Sequence, residues 1–360
     1  MNIRKYLDDL EARIDDSVES ELARQWLAFS DCQWKESFFA PARTPIPARV
    51  DWPRVFINDA LDNIDLMVYS QLRMCSEMLA DGTGELLCVR SNFGTGIIPT
   101  MFGAELFVMP YDHDILPGTR PFAEGRDDMI AILDKGEMDF SRGLAGKVFA
   151  VAERFQGLFR DYPLIARHVH IYNPDLQGPL SLCEAMWGSD VYLEFFDDPD
   201  LVESALDFIC DVYIEFTRRW KKLCPDFDGG HAVEWGMLHR GGTIIRNDSA
   251  TNVSGDLYEE YVKPRDQRII DAFGGGVHFC GKGDHYVEHL ADIRGLGVIN
   301  MSQPEYNNME TIYQNTVDKG ILIIGLQSNE VRRAVEAGRD LRGRVSSGAS
   351  MAAWVKKEDR

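Results

Sequence analysis

Between Leu201 and Trp220 the apolar side chains recur every third or fourth position: Leu201, Ala205, Ile209, Val212, Phe216 and Trp220. That period predicts a helix with one buried stripe, and Asp198 as N-cap with Pro199 in the first helical position marks its start. A second helix is predicted over 254–273, with Ser254 as its cap and a kink at Pro264. Residues 1–30 read as helix from Leu7, Leu10, Ile14, Leu22, Trp26 and Leu27. The next stretch, 40–55, holds four prolines and reads as an extended arm.

Short apolar runs then alternate with helical patterns. Strands are expected in 85–96, 168–179, 275–281, 295–305, 320–326 and 343–350. A glycine precedes many of them, and helical segments such as "DHYVEHLADIRG" and "NMETIYQNTVDKG" separate the later ones. This is the pattern of a parallel sheet. No dinucleotide-binding glycine fingerprint follows the first strand, so the α/β alternation favours a single (β/α)8 TIM barrel over a doubly wound sheet. The expected organisation is an N-terminal helical extension, comprising the helix and Pro-rich arm of residues 1–55, and a barrel over 56–360.

Composition narrows the function. With 45% hydrophobic and 27% charged residues the chain suits a soluble domain, and its net charge of −20 disfavours nucleic acid or anionic lipid as a partner. A small anionic substrate would need only a local basic cluster. No apolar run approaches the length of a membrane span, and the N-terminus has no secretory apolar core. Seven scattered cysteines without a CxxC pair fit free thiols in a reducing cytoplasm.

Polar residues fall where strands are expected to end, which in such a barrel is the active-site face: Asn92, Asp175, Asp248, His278, Gln303 and Gln327. In "GGGVHFCGKGDH", His278 and Cys280 are two apart and share one face of a strand. Together they are either two zinc ligands or a core histidine beside a small buried thiol. His285 and His289, with Asp284, read as a solvated helix face. The segment 229–261 gathers His231, Glu234, His239, Arg240, Arg246 and Asp248. Asp248 is a candidate metal ligand or acid/base, and equally a turn aspartate. Asp175 and Gln177 share a strand-end face and could orient a polar substrate or hold the loop. Asn92 lies in a Gly-rich loop that lacks phosphate-cradle spacing.

Three segments together resemble the uroporphyrinogen decarboxylase superfamily. They are "DLQGPLSLCEAMWGSDVYLEFFDDPDLVESALDFICD", "NDSATNVSGDLYEEYVKPRDQRII" and "VHFCG". The last is similar to the H-x-CG strand of its cobalamin-dependent methyltransferase branch. The resemblance runs from about residue 85 onward and implies a (β/α)8 barrel. It implies zinc held by His278, Cys280 and a later cysteine, and methyl transfer between a corrinoid, or corrinoid protein, and a thiol. From their places at strand ends and in the 229–261 segment, Asp248 and Asp175 are the candidate catalytic groups, and Asn92, Gln177, His231, Arg240 and Arg246 the candidate pocket residues. Cys280 is the last cysteine, however, and "SSGAS" stands where "SGC" is expected; Gly255 replaces the usual proline. Asp248, Glu234, His239 or water would then complete the site. Two other readings stay open: a metal-free lyase whose arginines hold carboxylates, and a non-catalytic binding barrel. A cytoplasmic homodimer is the family's implied state.

Overall fold

The computed structural model describes residues 2–351 and 354. The amino-terminal segment is two helices rather than one, α1 (Arg4–Glu11) and α2 (Asp16–Ser30). Asp15 breaks the run: its backbone is extended, and its carboxylate accepts the N–H groups of Ser17 and Val18. This N-cap satisfies donors that a new helix leaves unpaired. The Pro-rich arm contains no helix, and just before it Phe39 pairs in parallel with Ser346.

The strands are β1 (Cys88–Val89), β2 (Leu106–Phe107), β3 (Gly118–Thr119), β4 (His170–Ile171), β5 (His231–Glu234), β6 (Met237–Arg240), β7 (Thr243–Arg246), β8 (Gly275–Phe279), β9 (Leu296–Met301) and β10 (Leu322–Ile323). A parallel sheet runs β10–β9–β8–β7, and β1 pairs in parallel with β4. Single parallel bridges extend the sheet from Arg246 to Gln177, from Ile323 to Val345, and on from Ser346 to Phe39. The molecule is therefore a mixed helix and sheet protein with a parallel sheet, as the alternation predicts. The expected final strand is short, pairing through Val345 and Ser346.

Both faces of this sheet are buried, which explains the continuous apolar runs of its strands. Ile245, Val277, Ile299 and Ile323 face the main core, shared with Ile209, Val212, Phe216 and Trp220 of the helix Pro199–Leu223. Ile244, Val298, Leu322 and Ile324 face a second, smaller core. That core is filled by Val233 and Leu238 of the antiparallel β5–β6 hairpin and by Leu22, Trp26 and Phe29 of α2. Ser30 Oγ donates to Leu238 O at 2.7 Å, and Trp26 Nε1 donates to Gly84 O at 2.9 Å, so α2 is tied both to the hairpin and to the loop before β1. The sequence pattern gives no hint of this hairpin. Its turn is Trp235-Gly236 rather than the usual Asn-Gly, and 229–248 reads instead as one approach to a strand end.

The helix Pro199–Leu223 begins as expected, Asp198 accepting from Leu201 N. Ser254 likewise caps the second helix by accepting from Leu257 N. The kink foreseen at Pro264 takes the form of a π-helical turn, Tyr258–Val262, before Lys263–Phe273. Proline lacks an N–H and crowds the carbonyl four residues earlier, and a wider turn relieves both problems. Among the described residues no helix is long and apolar enough to cross a membrane.

The hairpin's role in the second core is testable. Leu238 is fully buried, so Leu238→Ala is expected to lower stability by about 2–5 kcal/mol in urea unfolding. Leu193→Ala, at a position 62% exposed, should stay within about 0.5 kcal/mol of wild type.

Candidate active site at the ends of the parallel strands

Strand register builds the site in two layers. Arg246 lies opposite His278, and His278 opposite Asn300, while Gln177 bridges to Arg246 from the other side. These four positions form one row across neighbouring strands. Two residues further along, on the same face, come Asp248, Cys280 and Ser302. The Cys280 amide donates to Asp248 Oδ1 at 2.8 Å, and the Cys280 thiol lies 3.4 Å from Ser302 Oγ. The loop carrying Asp248 is anchored from behind. Ser249 N donates to Ser181 Oγ, Ser249 Oγ donates to Glu184, and Asn247 Nδ2 donates to the buried Asp266. Gly178 permits this packing, because a Cβ there would sit 2.0 Å from Asn247 Oδ1.

Asp248, His278 and Cys280 offer donor atoms that all lie within 4.8 Å of one another. His278 Nε2 is 3.5 Å from Asp248 Oδ1 and 3.4 Å from Cys280 Sγ. Metal–ligand bonds of about 2.0–2.3 Å place the donors of a tetrahedral zinc roughly 3.3–3.8 Å apart, so the spacing suits such an ion. The imidazole is oriented for this. Asn300 Nδ2 donates to Ile324 O at 2.7 Å, which turns Asn300 Oδ1 toward His278 Nδ1 at 2.6 Å. Nδ1 therefore carries the proton, and the Nε2 lone pair points at Cys280 and Asp248. Burial lowers the His278 pKa, against the opposing pull of Asp248 and Asn300, and so favours the neutral ring. Burial likewise pushes the Cys280 thiol up to about 11. Without a cation this sulfur is a thiol, and a bound metal would displace its proton.

Beneath the triad lies a charged network. Arg246 is 2% exposed. It donates to Glu234 Oε2 at 2.9 Å and to Pro174 O at 3.3 Å, and its Nε is 3.3 Å from Asp175 Oδ1. Asp175 also meets Arg90 at 3.4 Å and accepts from Gln177 Nε2 at 3.1 Å. Burial alone would raise the Asp175 pKa, but Arg246, Arg90 and Gln177 together hold it below the usual carboxylate value. Glu234 is fully buried and its pKa is raised by burial, against Arg246 and the 2.6 Å bond from Asn173. Trp235 covers the guanidinium at 4.8 Å and leans on the His278 ring at 5.5 Å.

The structure thus brings together Asp248, His278 and Cys280, with Asp175, Gln177 and Arg246 directly below. Asn92 lies past β1, two residues beyond Arg90, and its Oδ1 is buried without a partner among the described residues. His231 and Arg240 go elsewhere. They face each other at the open end of the hairpin, remote from its turn, and both reach Asp31, with His231 also bonded to Asp228. Of the alternative third donors, Glu234 is committed to Arg246. His239 is buried beside Ala232 and bonds Arg240 O, with its pKa lowered by burial to about 4. His285 and His289 do not share a helix face: His285 precedes the helix Val287–Ala291 and bonds Val253 O, while His289 lies within it and meets Glu259. In the "SSGAS" segment Ser346, Ser347 and Ser350 pair with residues 325–328. The sequence reading missed Asn300, Arg90 and Trp235; only Asn300 left a trace, as the polar residue inside the apolar run "GVINM". A cavity of about 730 Å3 lies away from this site, between residues 138–153 and 219–223.

No protein-family model matches the chain, and none of the curated proteins matches it. Among solved structures, a methyltransferase from Methanosarcina mazei superposes with a TM-score of 0.61 at 15% identity, covering 91% of this chain and 92% of its own. The likeness is one of fold across nearly the whole length of both chains.

The support behind Asp248 makes a pH prediction. Asp266 is wholly buried without a cationic partner among the described residues, and burial raises its carboxyl to about 7 despite hydrogen bonds from Asn247 and Tyr258. The folded chain then holds a proton that the unfolded chain releases near pH 4, so this contribution to stability is complete below pH 4 and is lost as pH rises to 7. Compared with Asp266→Asn, wild type should lose on the order of 4 kcal/mol across that window in urea titrations. A difference that stays constant with pH would refute the raised carboxyl.

Proposed function

We propose that this chain is a metal-dependent methyltransferase-like enzyme of the uroporphyrinogen decarboxylase superfamily, moving a methyl group between a corrinoid and a thiol or similar acceptor. In this reading the parallel segments form a closed (β/α)8 barrel. Its eight strands are the stretch at Phe39, β1, β4, β7, β8, β9, β10 and the stretch at Val345–Ser346. The first strand then comes from the N-terminal extension, and the barrel begins before residue 56. A solved methyltransferase of the same fold supports the class, and the sequence blocks around 175–211, 247–270 and 277–281 support the superfamily.

The observation that carries the reading is the convergence of Asp248, His278 and Cys280, with the His278 lone pair aimed by Asn300. A neutral imidazole, a thiolate and a carboxylate bring two negative charges to a divalent cation and leave a fourth position for an acceptor thiol. Zinc bound there would lower the acceptor's pKa and present it as a thiolate. Cys280 gives up its proton to join the set. Asp248 takes the charge role of the missing third cysteine, and Asn300 holds His278 in one tautomer. Asp175 and Gln177 line the layer below, where Asp175 is kept anionic by two arginines. The methyl-bearing corrinoid, free or on a partner protein, would approach from the strand-end face. A cytoplasmic location and a homodimer accompany this reading.

The lyase alternative needs arginines free to grip substrate carboxylates. Arg246 is bound to Glu234 and Asp175, and Arg240 to Asp31, which favours the metal reading.

Mass spectrometry of tag-free protein should find one zinc per chain, absent from Cys280→Ala and His278→Ala. Asn300→Leu should weaken zinc binding about 10–100-fold, the usual effect of losing a group that orients a ligand. Loaded protein should demethylate methylcobalamin in the presence of thiols, followed by its absorbance. Protein without metal and without methyl transfer would sink the proposal; carbon dioxide release or ligand binding without turnover would point to the lyase or the non-catalytic reading.

A further inference from the structure

Trp235 sits at the first central position of the hairpin turn with φ +51°, followed by Gly236 at +79°. A two-residue turn with both φ values positive selects Asn, Asp or Gly at its first position, and a bulky aromatic side chain is disfavoured there. The turn has no freedom to relax. Leu86 N donates to Gly236 O at 2.7 Å, and a Cβ on Gly236 would lie 2.7 Å from Glu85 Cβ and 2.8 Å from Leu86 O. Backbone strain of this kind persists where a side chain has a task.

The task is visible in what the indole touches. The Arg246 guanidinium lies 4.8 Å from the ring. Arg246 is in turn bonded to Glu234, the residue next to Trp235, so guanidinium and indole are clamped as a unit. The ring also meets His278, with centroids 5.5 Å apart and planes inclined at 57°. Asn300 controls His278 through a single bond to Nδ1. In its own plane the ring is held by Asn300 at Nδ1 and, more weakly, by the 3.4 Å contact of Nε2 with Cys280 Sγ; neither bears on the face of the ring. The indole adds a lateral contact to these in-plane ones.

We propose that Trp235 is a positioning residue for His278, kept in an unfavourable backbone conformation because its ring, braced by Arg246, holds the imidazole plane in line with Asp248 and Cys280. The inference rests on reading those three residues as the functional site, but its test needs no metal. In metal-free protein labelled with ¹⁵N-histidine, the His278 Nδ1–H signal is identified by its loss in His278→Gln, and its exchange with water is measured. In Trp235→Gly exchange should speed up about tenfold, the factor that one aromatic contact supports. In Trp235→Phe, which keeps a ring, it should stay within about threefold of wild type. Trp235→Gly should stay folded, because glycine suits the turn, which offsets part of the loss of the packing that the indole gives the second core.

Unchanged exchange in Trp235→Gly would overturn the proposal, as would equal acceleration in the glycine and phenylalanine variants. If Trp235→Gly loosens every histidine ring and the backbone amides alike, Trp235 is a packing residue and the inference falls. Wild-type protein that binds no zinc would remove the proposed methyl transfer while leaving this measurement to decide the role of Trp235.

Discussion

The guanidinium of Arg246 is shut inside the protein and cannot shed its proton. A charge in that position must be surrounded, and much of the architecture follows from how this is done. Glu234 meets it from the hairpin, Asp175 and the Pro174 carbonyl from the segment after β4, and the Trp235 face from the turn. Arg90, just past β1, closes the group by pairing with Asp175. Two arginines and two acids balance in charge. Burial leaves Glu234 the weaker acid, while Asp175, held by both arginines, carries the more secure counter-charge. Removing either carboxylate would strand a buried cation, which is the expensive way to break such a group. Stretches of chain 70 to 160 residues apart are thereby tied at one level of the sheet.

That level is also the floor of the candidate site. Arg246 occupies the same register row as His278 and Asn300, one step below Asp248, Cys280 and Ser302. Its positive charge contributes to keeping the imidazole neutral, the form that can donate a lone pair to a metal. Positive charge is thus held in the lower row, already neutralised, and the soft and anionic donors are held in the upper row.

Several of these features could be read from the sequence because they rest on local rules. Asp198-Pro199 starts a helix through capping and fixed proline geometry. H-x-C puts two side chains on one face through the two-residue period of a strand, and that inference placed His278 and Cys280 together. Other features depend on partners far away in the chain. Glu234 and Arg246 look like two more charged residues in a crowded segment until a hairpin folds one beside the other. That hairpin is hidden because its turn violates the residue preference by which such turns are recognised. His231 and Arg240 show the opposite effect. Their proximity in sequence to Asp248 suggested a shared pocket, but the antiparallel pairing turns them to the far end, toward Asp31. Asn300 gave only a faint signal, since one polar residue in an apolar strand says nothing about which way its amide is turned. Its meaning comes from the Ile324 carbonyl on the neighbouring strand.

The replacement of the third cysteine has a consequence for how the proposed metal site works. In the family that the sequence resembles, the third thiolate comes from near the last strand. Here the proposed donors come from β8 and the residue that follows it, and from the loop after β7, while the serines of 346–350 bond to residues 325–328 instead. The charge on the donor set is preserved, because a carboxylate replaces a thiolate. Its softness is reduced, so the site should hold zinc less selectively against harder divalent ions. Its direction changes as well. With two donors from adjacent segments and the imidazole fixed between Asn300 and Trp235, the proposed set leaves a fourth position to an incoming ligand. Asp248 is more exposed than His278, yet its backbone is held by Ser181, Glu184 and Asp266 through its two neighbours. An oxygen donor on a well-anchored loop can form a defined site where a mobile one could not.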